Sequence, residues 1–520
     1  MSTDNQRGIL RASGIVTFAS VFLYLFWYLR EYAVSARLGA GREMDAFLVA
    51  YSIPLFIGST FSGVLQILLV PAYLSAKKEG ADRRQRFCNE VFGALLVVVI
   101  IVSAALAIAV PWVSRTMGSG FDGAQVQLVM RLTWMMLPLA GFLAFFGVAG
   151  AFLVAEQQFW ANGILPAISS IAPALTVWFF SHRFGVYSFA VGLTVGWGAQ
   201  LFIALVLVRR LGIGMHLSLR WERSQVANAI RLSGPLILGI VGTGLVPIID
   251  RAMASGLPTG SISALGYAER LLTLIMAIFA SVQTAVFPFF AEQANRGDIT
   301  SLRGDFLKTT GLSLFIALPA TVILGLFGVP VVRLLFGHGV FDLGAVELTG
   351  QTLMAYSLSI AAAVVGNIIV RVVNAFQDSW TIGILGIMNP MVKILLNVLL
   401  FRFGAVGFAL AYSGMTLWTT LLLMWRVRRH VTPVTESWFW KNVAKIGTAF
   451  VGMWAFARLL QGTPQSLSPV WLLFFQIGSA SALYVVISWI LRLDSARYVS
   501  RALWERLAKL GRKKDLAIDI

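Results

Sequence analysis

Residues 21–45 read VFLYLFWYLREYAVSARLGAGREMD, an apolar run that has an arginine and a glutamate, Arg30 and Glu31, inside it. The run extends over residues 12–38, and a second one, residues 46–76, follows without any charge. A charged side chain near the centre of a bilayer costs about 2.5–3.5 kcal/mol, so such residues usually face a protein interior or a wet cavity. The stretch therefore predicts two membrane-spanning helices and a polar site inside the protein.

The composition assigns the chain to the polytopic membrane proteins. Of its 520 residues, 58% are hydrophobic and only 12% are charged, whereas soluble domains have about 25% charged residues. The single cysteine, Cys88, excludes an internal disulfide, and without Cys/His clusters no structural metal site is expected. The net charge of +18 does not indicate a nucleic-acid partner, because in a membrane protein Lys and Arg concentrate in the loops of one side.

About 20 apolar residues are needed for each crossing, and on this basis we predict an all-α protein with fourteen transmembrane helices. The first run is long enough to span the bilayer, so no cleavable signal peptide is expected. The connections are short and leave no room for an extramembrane catalytic domain. The predicted spans lie near residues 12–36, 46–74, 90–112, 132–155, 160–180, 186–208, 232–253, 262–291, 309–331, 348–375, 381–401, 404–425, 442–460 and 469–491.

The basic residues predict the orientation of the chain. Most of the 41 Lys and Arg residues fall at the two ends of the chain or in loops after even-numbered spans. By the positive-inside rule, both termini are cytoplasmic. Residues 492–520 form a basic cytoplasmic tail, which is either a solvated segment or an amphipathic segment against anionic lipid.

An internal repeat divides the chain into two lobes. The segment WANGIL at 160–165 recurs as WTIGIL at 380–385, and Arg183-Phe-Gly recurs as Arg402-Phe-Gly. The offset of about 220 residues places spans 1–6 over spans 7–12 in the same orientation, as in carriers with parallel repeats. We therefore predict an N-lobe (1–220), a C-lobe (221–430), two added helices (431–491) and the tail (492–520), with substrate between the lobes.

Three acid–arginine pairs lie within or at the ends of the predicted spans. If the lobes are pseudo-symmetric, the pairs converge on the interface between them and line a substrate-binding site. Arginine suits phosphate oxygens, but each arginine has an acid beside it, so the sign of the substrate charge stays open. The pairs are Arg30–Glu31, Asp250–Arg251 and Glu269–Arg270.

Aromatic residues share a helix face with the first pair. Tyr24 precedes Trp27 by three residues, and Trp27 precedes Arg30 by three and Glu31 by four. The two rings therefore share a helix face with the pair and form an aromatic wall beside the charge. The alternative is that Arg30 only neutralises Glu31 or extends toward the membrane surface. Both interpretations stay open at this point.

A polar stripe marks the eleventh predicted span. Asn389, Lys393 and Asn397 recur every four residues and lie on one helix face. A buried lysine needs an acid partner, and Asp250 on the seventh span is the candidate. The stripe is either an ion-coupling site whose cation position holds the lysine ammonium, or a structural Lys–Asp contact.

Several motifs resemble the MurJ/MviN lipid II flippases of the MOP superfamily, and the likeness covers nearly the whole chain. The resemblance implies a V-shaped carrier with a cationic lumen that binds the diphosphate of an undecaprenyl-linked glycan in the bacterial inner membrane. It also implies a lipid-tail groove at the last two spans. The motifs are LREYAVSARLGAG at 29–41, DAFLVA at 45–50, YAERL at 267–271, LLFGHGVF at 334–341, NAFQDS at 374–379 and GAVGFALA at 404–411.

The resemblance implies roles for individual residues, although three positions differ from the family pattern. Arg30, Glu31, Asp45, Glu269 and Arg270 fall on functional positions, and the sodium-site positions fall on Asp250, Lys393 and Asn397. Two further arginines and one acid of the family are replaced here, so a related lipid-linked oligosaccharide, such as an exopolysaccharide unit, is the alternative substrate. The replaced positions are Tyr24, Gly58 or Ser59, and Thr273.

Two other protein classes would place different demands on the sequence. A cation-coupled multidrug exporter of the same superfamily would use Glu31, Asp45 and Asp250 as proton or sodium sites. A membrane glycosyltransferase would need catalytic groups at one membrane face, but the four histidines are scattered singly. We therefore expect a transporter, not an enzyme, without a cofactor. Coupling to Na⁺, to H⁺ or to the membrane potential alone stays open, as do contacts with cell-wall or polysaccharide synthesis proteins.

Overall fold

The computed structural model describes residues 23–214, 216, 218, 223–431, 436–462, 468–493 and 495–496. Within these ranges all regular structure is helical, which confirms the predicted all-α fold class. Helix α1 covers residues 23–38. A short 3-10 turn, Phe401–Phe403, separates the twelfth and thirteenth helices. The helices after α1 are α2 (Arg42–Lys78), α3 (Ala81–Met117), α4 (Gly123–Ala155), α5 (Phe159–Phe184), α6 (Tyr187–Arg210), α7 (Arg223–Ala254), α8 (Ser261–Arg296), α9 (Ile299–Phe336), α10 (Leu343–Ser357), α11 (Ser359–Ala375), α12 (Ser379–Leu400), α13 (Gly404–Val427), α14 (Ser437–Leu460) and α15 (Pro469–Ile490).

Eleven helical segments of the described chain are long and apolar enough to cross a membrane. The number rises to twelve when α10 and α11, whose axes are bent by 43° at the break between them, are taken as one broken span. The segment Ser379–Val427 counts once, although it contains both α12 and α13. The chain is thus a multi-pass membrane protein, and the total of fourteen spans stays a prediction. Residues 12–22 of the first predicted span and 497–520 of the predicted tail lie outside the described residues.

The chain forms two compact units. The first extends through Tyr267 and also contains Leu335–Thr349 and Ser379–Phe408. The second contains Ala268–Leu334, Gly350–Asp378 and the chain from Ala409 onward. The two units are defined by contacts in space, whereas the predicted lobes are defined by the internal repeat of the sequence. The units therefore do not test the lobe boundaries, which stay a prediction.

The core of the first unit lies among α2 to α6. Tyr73 of α2 is fully buried, and its ring packs on Phe152 of α4 at a centroid distance of 5.2 Å. Small residues on α4 let the helices approach closely, as at Gly147, which lies against the backbone of Ser62. Close packing of this kind associates helices in lipid, where burial of apolar surface gives little driving force.

Helices α7 and α12 cross with their backbones in contact. A Cβ at Gly242 would overlap the carbonyl of Gly386, and a Cβ at Gly386 would overlap the backbone of Leu238. Both glycines belong to a Gly-x-x-Gly segment, since Gly239 and Gly383 precede them by three residues. Only glycine permits this approach, so the two segments fix where the helices cross.

Proline residues leave backbone carbonyls for neighbouring helices to bind. A proline has no N–H, so the carbonyl four residues earlier loses its helical donor. Pro111 of α3 has this effect on Ala107, whose carbonyl accepts a hydrogen bond from the indole Nε1 of Trp134 on α4 at 3.1 Å. The bond satisfies a group for which hydrocarbon offers no partner.

The core of the second unit joins α9 to the last two helices. Phe315 and Phe327 of α9 pack with Met453 of α14 and with Leu473 and Tyr484 of α15. The rings of Phe315 and Tyr484 lie 5.2 Å apart. The last two helices, α14 and α15, therefore share a core with α9.

We predict that Gly242→Ala destabilises the protein by about 1–3 kcal/mol, because the added methyl group overpacks the contact with α12. Thermal unfolding in detergent measures the effect. Gly447→Ala on α14 is the control, since nothing lies within 4 Å of a Cβ there, and alanine favours helix over glycine. Equal stability of the two variants would contradict the close crossing.

Candidate functional site

The first predicted pair forms a charged contact within α1. The carboxylate of Glu31 is fully buried and accepts hydrogen bonds from Arg30 Nε at 3.0 Å and Nη2 at 2.6 Å. The Arg30 guanidinium also lies 5.9 Å from the ring centroid of Trp27, while Tyr24 is half-buried on the same helix. The guanidinium is thus held by an anion and an aromatic ring, and it stays partly accessible.

Asp45 caps helix α8. Its buried carboxylate accepts bonds from the backbone N–H of Gly260 at 2.6 Å, and from the N–H and hydroxyl of Ser263 at 2.7 and 2.6 Å. A carboxylate in this position satisfies orphan donors and interacts favourably with the helix dipole. Asp45 therefore joins the start of α2 to the start of α8 within the first unit.

Two further contacts gather around this cap. The hydroxyl of Tyr267 donates to the carbonyl of Gly39 at 3.0 Å, and its ring lies 5.2 Å from each of Phe336 and Phe341. The backbone N–H of Val340 donates to the carbonyl of Ala36 at 3.1 Å. The α1–α2 turn, the start of α8 and the segment after α9 therefore meet at one end of the first unit.

The other two predicted pairs are placed differently. Arg251 is half-buried beside Asp250 at the end of α7 in the first unit. Glu269 and Arg270 are half-buried in the second unit, and each has interaction partners. A chamber shared by Arg30 and Arg270 stays a prediction, because the two belong to different units.

The polar stripe of α12 meets α7. The ammonium of Lys393 is fully buried, lies 3.1 Å from Asp250 Oδ1 and donates to the carbonyl of Phe408 at 2.7 Å. Asn397 Nδ2 donates to the same Asp250 oxygen at 2.8 Å, and Asn389 is buried one turn away. The predicted pairing of Lys393 with Asp250 is confirmed, and its role in ion coupling stays a prediction.

These residues do not fit a bound sodium ion while Lys393 is charged. The ammonium contacts both the carboxylate and the backbone carbonyl that would otherwise be available to a metal cation. A second cation beside it would face direct repulsion in a site of low dielectric constant. We therefore assign no step of transport to a metal ion at this site.

A polar cluster that sequence reasoning missed joins α2 to the end of α4. Glu156, just after α4, accepts a hydrogen bond from Tyr73 at 2.5 Å and pairs with Lys77 at 2.7 Å. Burial raises the pKa of Glu156, but the hydrogen bonds from Lys77 and Tyr73 outweigh it and leave the pKa below its usual range. Nothing in the local sequence marks Glu156, because its partners are about eighty residues away.

The comparison with known families decides the assignment. The sequence model described as "Lipid II flippase MurJ" matches residues 34–477 of this chain, well over half of its length. The chain belongs to the MurJ family. This membership confirms the resemblance found in the sequence motifs and, with it, a transporter class that is not enzymatic.

Individual relatives of the MurJ family agree with this assignment. A probable lipid II flippase MurJ from Haemophilus influenzae is 26% identical over 420 residues, which cover 76% of this chain and 82% of that protein. The corresponding protein from Bdellovibrio bacteriovorus is 24% identical over 521 residues, which cover 96% of each chain.

Solved structures show which folds the chain shares. The structure of lipid II flippase MurJ in an inward closed conformation has a TM-score of 0.79 at 22% identity, covering 91% of this chain and 98% of that one. An inward-facing multidrug resistance MATE transporter of the MOP superfamily has a TM-score of 0.68 at 14% identity, covering 78% and 94%. At these identities the likeness shows the fold alone.

We predict that Lys393→Met or Asp250→Asn alone destabilises this MurJ-family protein by about 3–5 kcal/mol, because each leaves one buried charge without its partner. The double variant should lose clearly less than the sum of the two. Thermal unfolding in detergent measures all three, with the exposed Lys441→Met as control. Additive losses would contradict the coupling.

We predict that the Glu156 cluster contributes stability above the unfolded-state pKa, about 4.3. Because the folded-state pKa is lower, this contribution is lost as the pH falls through the folded value. Glu156→Gln should cost about 1 kcal/mol or less at pH 7, since solvent screens the pair. It should also flatten the acid limb of a melting-temperature profile. A Glu156→Gln profile parallel to that of the parent would contradict the assignment.

Proposed function

We propose that this chain is a flippase that moves lipid II, or a similar undecaprenyl diphosphate-linked glycan, from the inner to the outer leaflet by alternating access. The observation that carries the proposal is the family match over residues 34–477, which includes α2 to α14. The relatives that bear the name lipid II flippase match up to 96% of this chain.

Arg30 is the group to which we assign the diphosphate. Its two N–H groups bind one oxygen of Glu31, whereas a guanidinium binds phosphate best through two parallel bonds. A diphosphate would therefore compete with Glu31 for Arg30, and Glu31 would retain the guanidinium after release. Arg251 and the Glu269–Arg270 pair are the further headgroup contacts in this proposal, with Tyr24 and Trp27 beside Arg30.

The contacts of Asp45 and Tyr267 support closure at one end of the carrier. Under the proposed orientation, with both termini cytoplasmic, this end faces outward. Asp45 would hold the start of α8 against α2 while substrate enters from the inner leaflet. Opening to the outer leaflet would release the three hydrogen bonds of Asp45 together.

The proposed driving force is the membrane potential. Moving about two negative charges outward across an inside-negative membrane gains about 2.3 kcal/mol per charge for each 100 mV. The ammonium of Lys393 supplies a fixed cation beside Asp250, and Asn389 and Asn397 complete that polar stripe. In this proposal the stripe needs no sodium ion to neutralise Asp250.

A second candidate is export of another lipid-linked oligosaccharide, such as an exopolysaccharide unit. It is favoured by the replaced positions in the sequence, because Tyr24 and Gly58 or Ser59 stand where the family has arginines. Fewer cations in the cavity would suit a different headgroup. The shared fold with MATE transporters does not favour drug export, since it carries no information on the charges of the site.

The proposed location is the bacterial cytoplasmic membrane, with both termini in the cytoplasm. The basic residues at the chain ends and after even-numbered spans support this orientation. Lipid-linked glycan is the substrate partner, membrane lipid surrounds the spans, and cell-wall or polysaccharide synthesis proteins are the proposed neighbours of the pathway.

We predict that the parent protein rescues a strain depleted of its essential lipid II flippase and that Arg30→Ala abolishes rescue, because the diphosphate loses its main partner. Arg270→Ala should have the same effect. Viable counts after depletion measure rescue, and immunoblotting of membranes measures insertion.

The control is Arg209→Ala at the end of α6, which is exposed and outside the proposed site and should rescue normally. Failure of the parent protein, with normal insertion, would favour the exopolysaccharide alternative. Full rescue by Arg30→Ala would contradict the assignment of Arg30.

A further inference from the structure

Helix α9 contains two prolines, Pro319 and Pro330, eleven residues apart. Each removes the N–H that the carbonyl four residues earlier would use, so Phe315 and Leu326 lose their helical donors. Eleven residues are three helical turns to within about 20°, which places the two carbonyls on one face of α9. Inside a membrane these acceptors need protein donors on that face.

Both acceptors are satisfied by the two helices that have no counterpart in the sequence repeat. The hydroxyl of Tyr484 on α15 donates to the carbonyl of Phe315 at 2.9 Å, and this bond is buried. Nε2 of Gln461, the residue after α14, donates to the carbonyl of Leu326 at 2.6 Å. The donors thus come from both helices of the α14–α15 pair.

The Gln461 donor is oriented by its own helix. Nη1 of Arg458 donates to Gln461 Oε1 at 2.8 Å, which leaves the amide nitrogen for Leu326. The next residue, Phe327, has non-helical angles (φ −112°, ψ 19°) and marks the kink of α9. Gln461 therefore binds α9 directly at its kink.

A third contact lies near the other end of α9. Arg303 forms an ion pair with Glu436, the residue before α14: Nη2 donates a hydrogen bond to Oε2 at 2.8 Å, and Nε lies 2.7 Å from Oε1. Polar contacts at Arg303, Phe315 and Leu326 therefore join α9 to the α14–α15 region near its start, in its middle and in its C-terminal half, all within the second unit.

We propose that Tyr484 and Gln461 are positioning residues that fasten α14 and α15 to the proline-freed carbonyls of α9, so that the three helices move as one body. Separation would leave the buried carbonyl of Phe315 without a donor, and the kink at Phe327 would lose its external contact, the exposed bond from Gln461 to Leu326. The attachment of α14 and α15 to α9 is inferred from the contacts alone, whereas the movement of the three helices as one body rests on the proposed transport function.

The first experiment tests the fastening by thermal unfolding of the full-length protein in detergent. Tyr484→Phe, which removes only the hydroxyl, should lower the melting temperature by a few degrees. In a Pro319→Ala background the restored N–H competes for the Phe315 carbonyl, so the same substitution should cost less than half as much. Gln461→Leu with Pro330→Ala forms the second, independent cycle.

The matched control is Ser479→Ala on α15, whose hydroxyl bonds to the Phe475 carbonyl of its own helix. It should leave the melting temperature nearly unchanged. An equal loss for Tyr484→Phe in both backgrounds, repeated for Gln461→Leu in its cycle, would overturn the fastening.

The second experiment tests the movement with cross-links in a Cys88→Ala background. Arg303→Cys with Glu436→Cys, joined by a short bifunctional thiol reagent, should leave lipid II flipping in proteoliposomes unchanged. Ala36→Cys with Val340→Cys, joined at the end proposed to open, should stop it.

The outcomes separate the two proposals. If the 303–436 link stops flipping while the unlinked variant flips, the one-body proposal is overturned. If the unlinked variants and the parent all fail to flip lipid II, the proposed function fails, and the melting cycles still decide the fastening.

Discussion

A polar group inside the hydrocarbon must find its partner within the protein, because the lipid offers no hydrogen bond. The described charges of the first unit obey this constraint. Glu31 binds the neighbouring Arg30, Asp45 binds the start of α8, and Asp250 binds Lys393 and Asn397. The same constraint applies to backbone carbonyls that prolines release, and the packing of the spans follows from how both kinds of group are satisfied.

The sequence predicted those features that depend only on neighbouring residues or on the burial of a side chain. Hydropathy located the spans, and a lysine alone in an apolar helix required an acid, for which Asp250 was the suitable residue. The helices extend beyond the apolar runs: α3 begins at Ala81 and not near residue 90. Hydropathy marks only the part of a helix in hydrocarbon, while hydrogen bonding continues into the polar ends.

Apart from the Lys393–Asp250 pair, the contacts between helices distant in the sequence were not predictable from one sequence. The Asp45 cap needs α2 beside α8, and the Tyr267 bond needs a turn more than two hundred residues away. Prolines identify in advance which carbonyls need donors, as for Ala107. They do not identify the donor, which a neighbouring helix supplies.

The crossing of α7 and α12 limits how these helices can rearrange. With Gly242 and Gly386 in backbone contact, a translation along the axis would bring larger side chains into the gap and force the helices apart. A change of crossing angle keeps the contact. The glycine pair therefore acts as a pivot for the two helices. Lys393 and Asp250 lie only about two turns from it, so a change of crossing angle would displace these charges by a short distance.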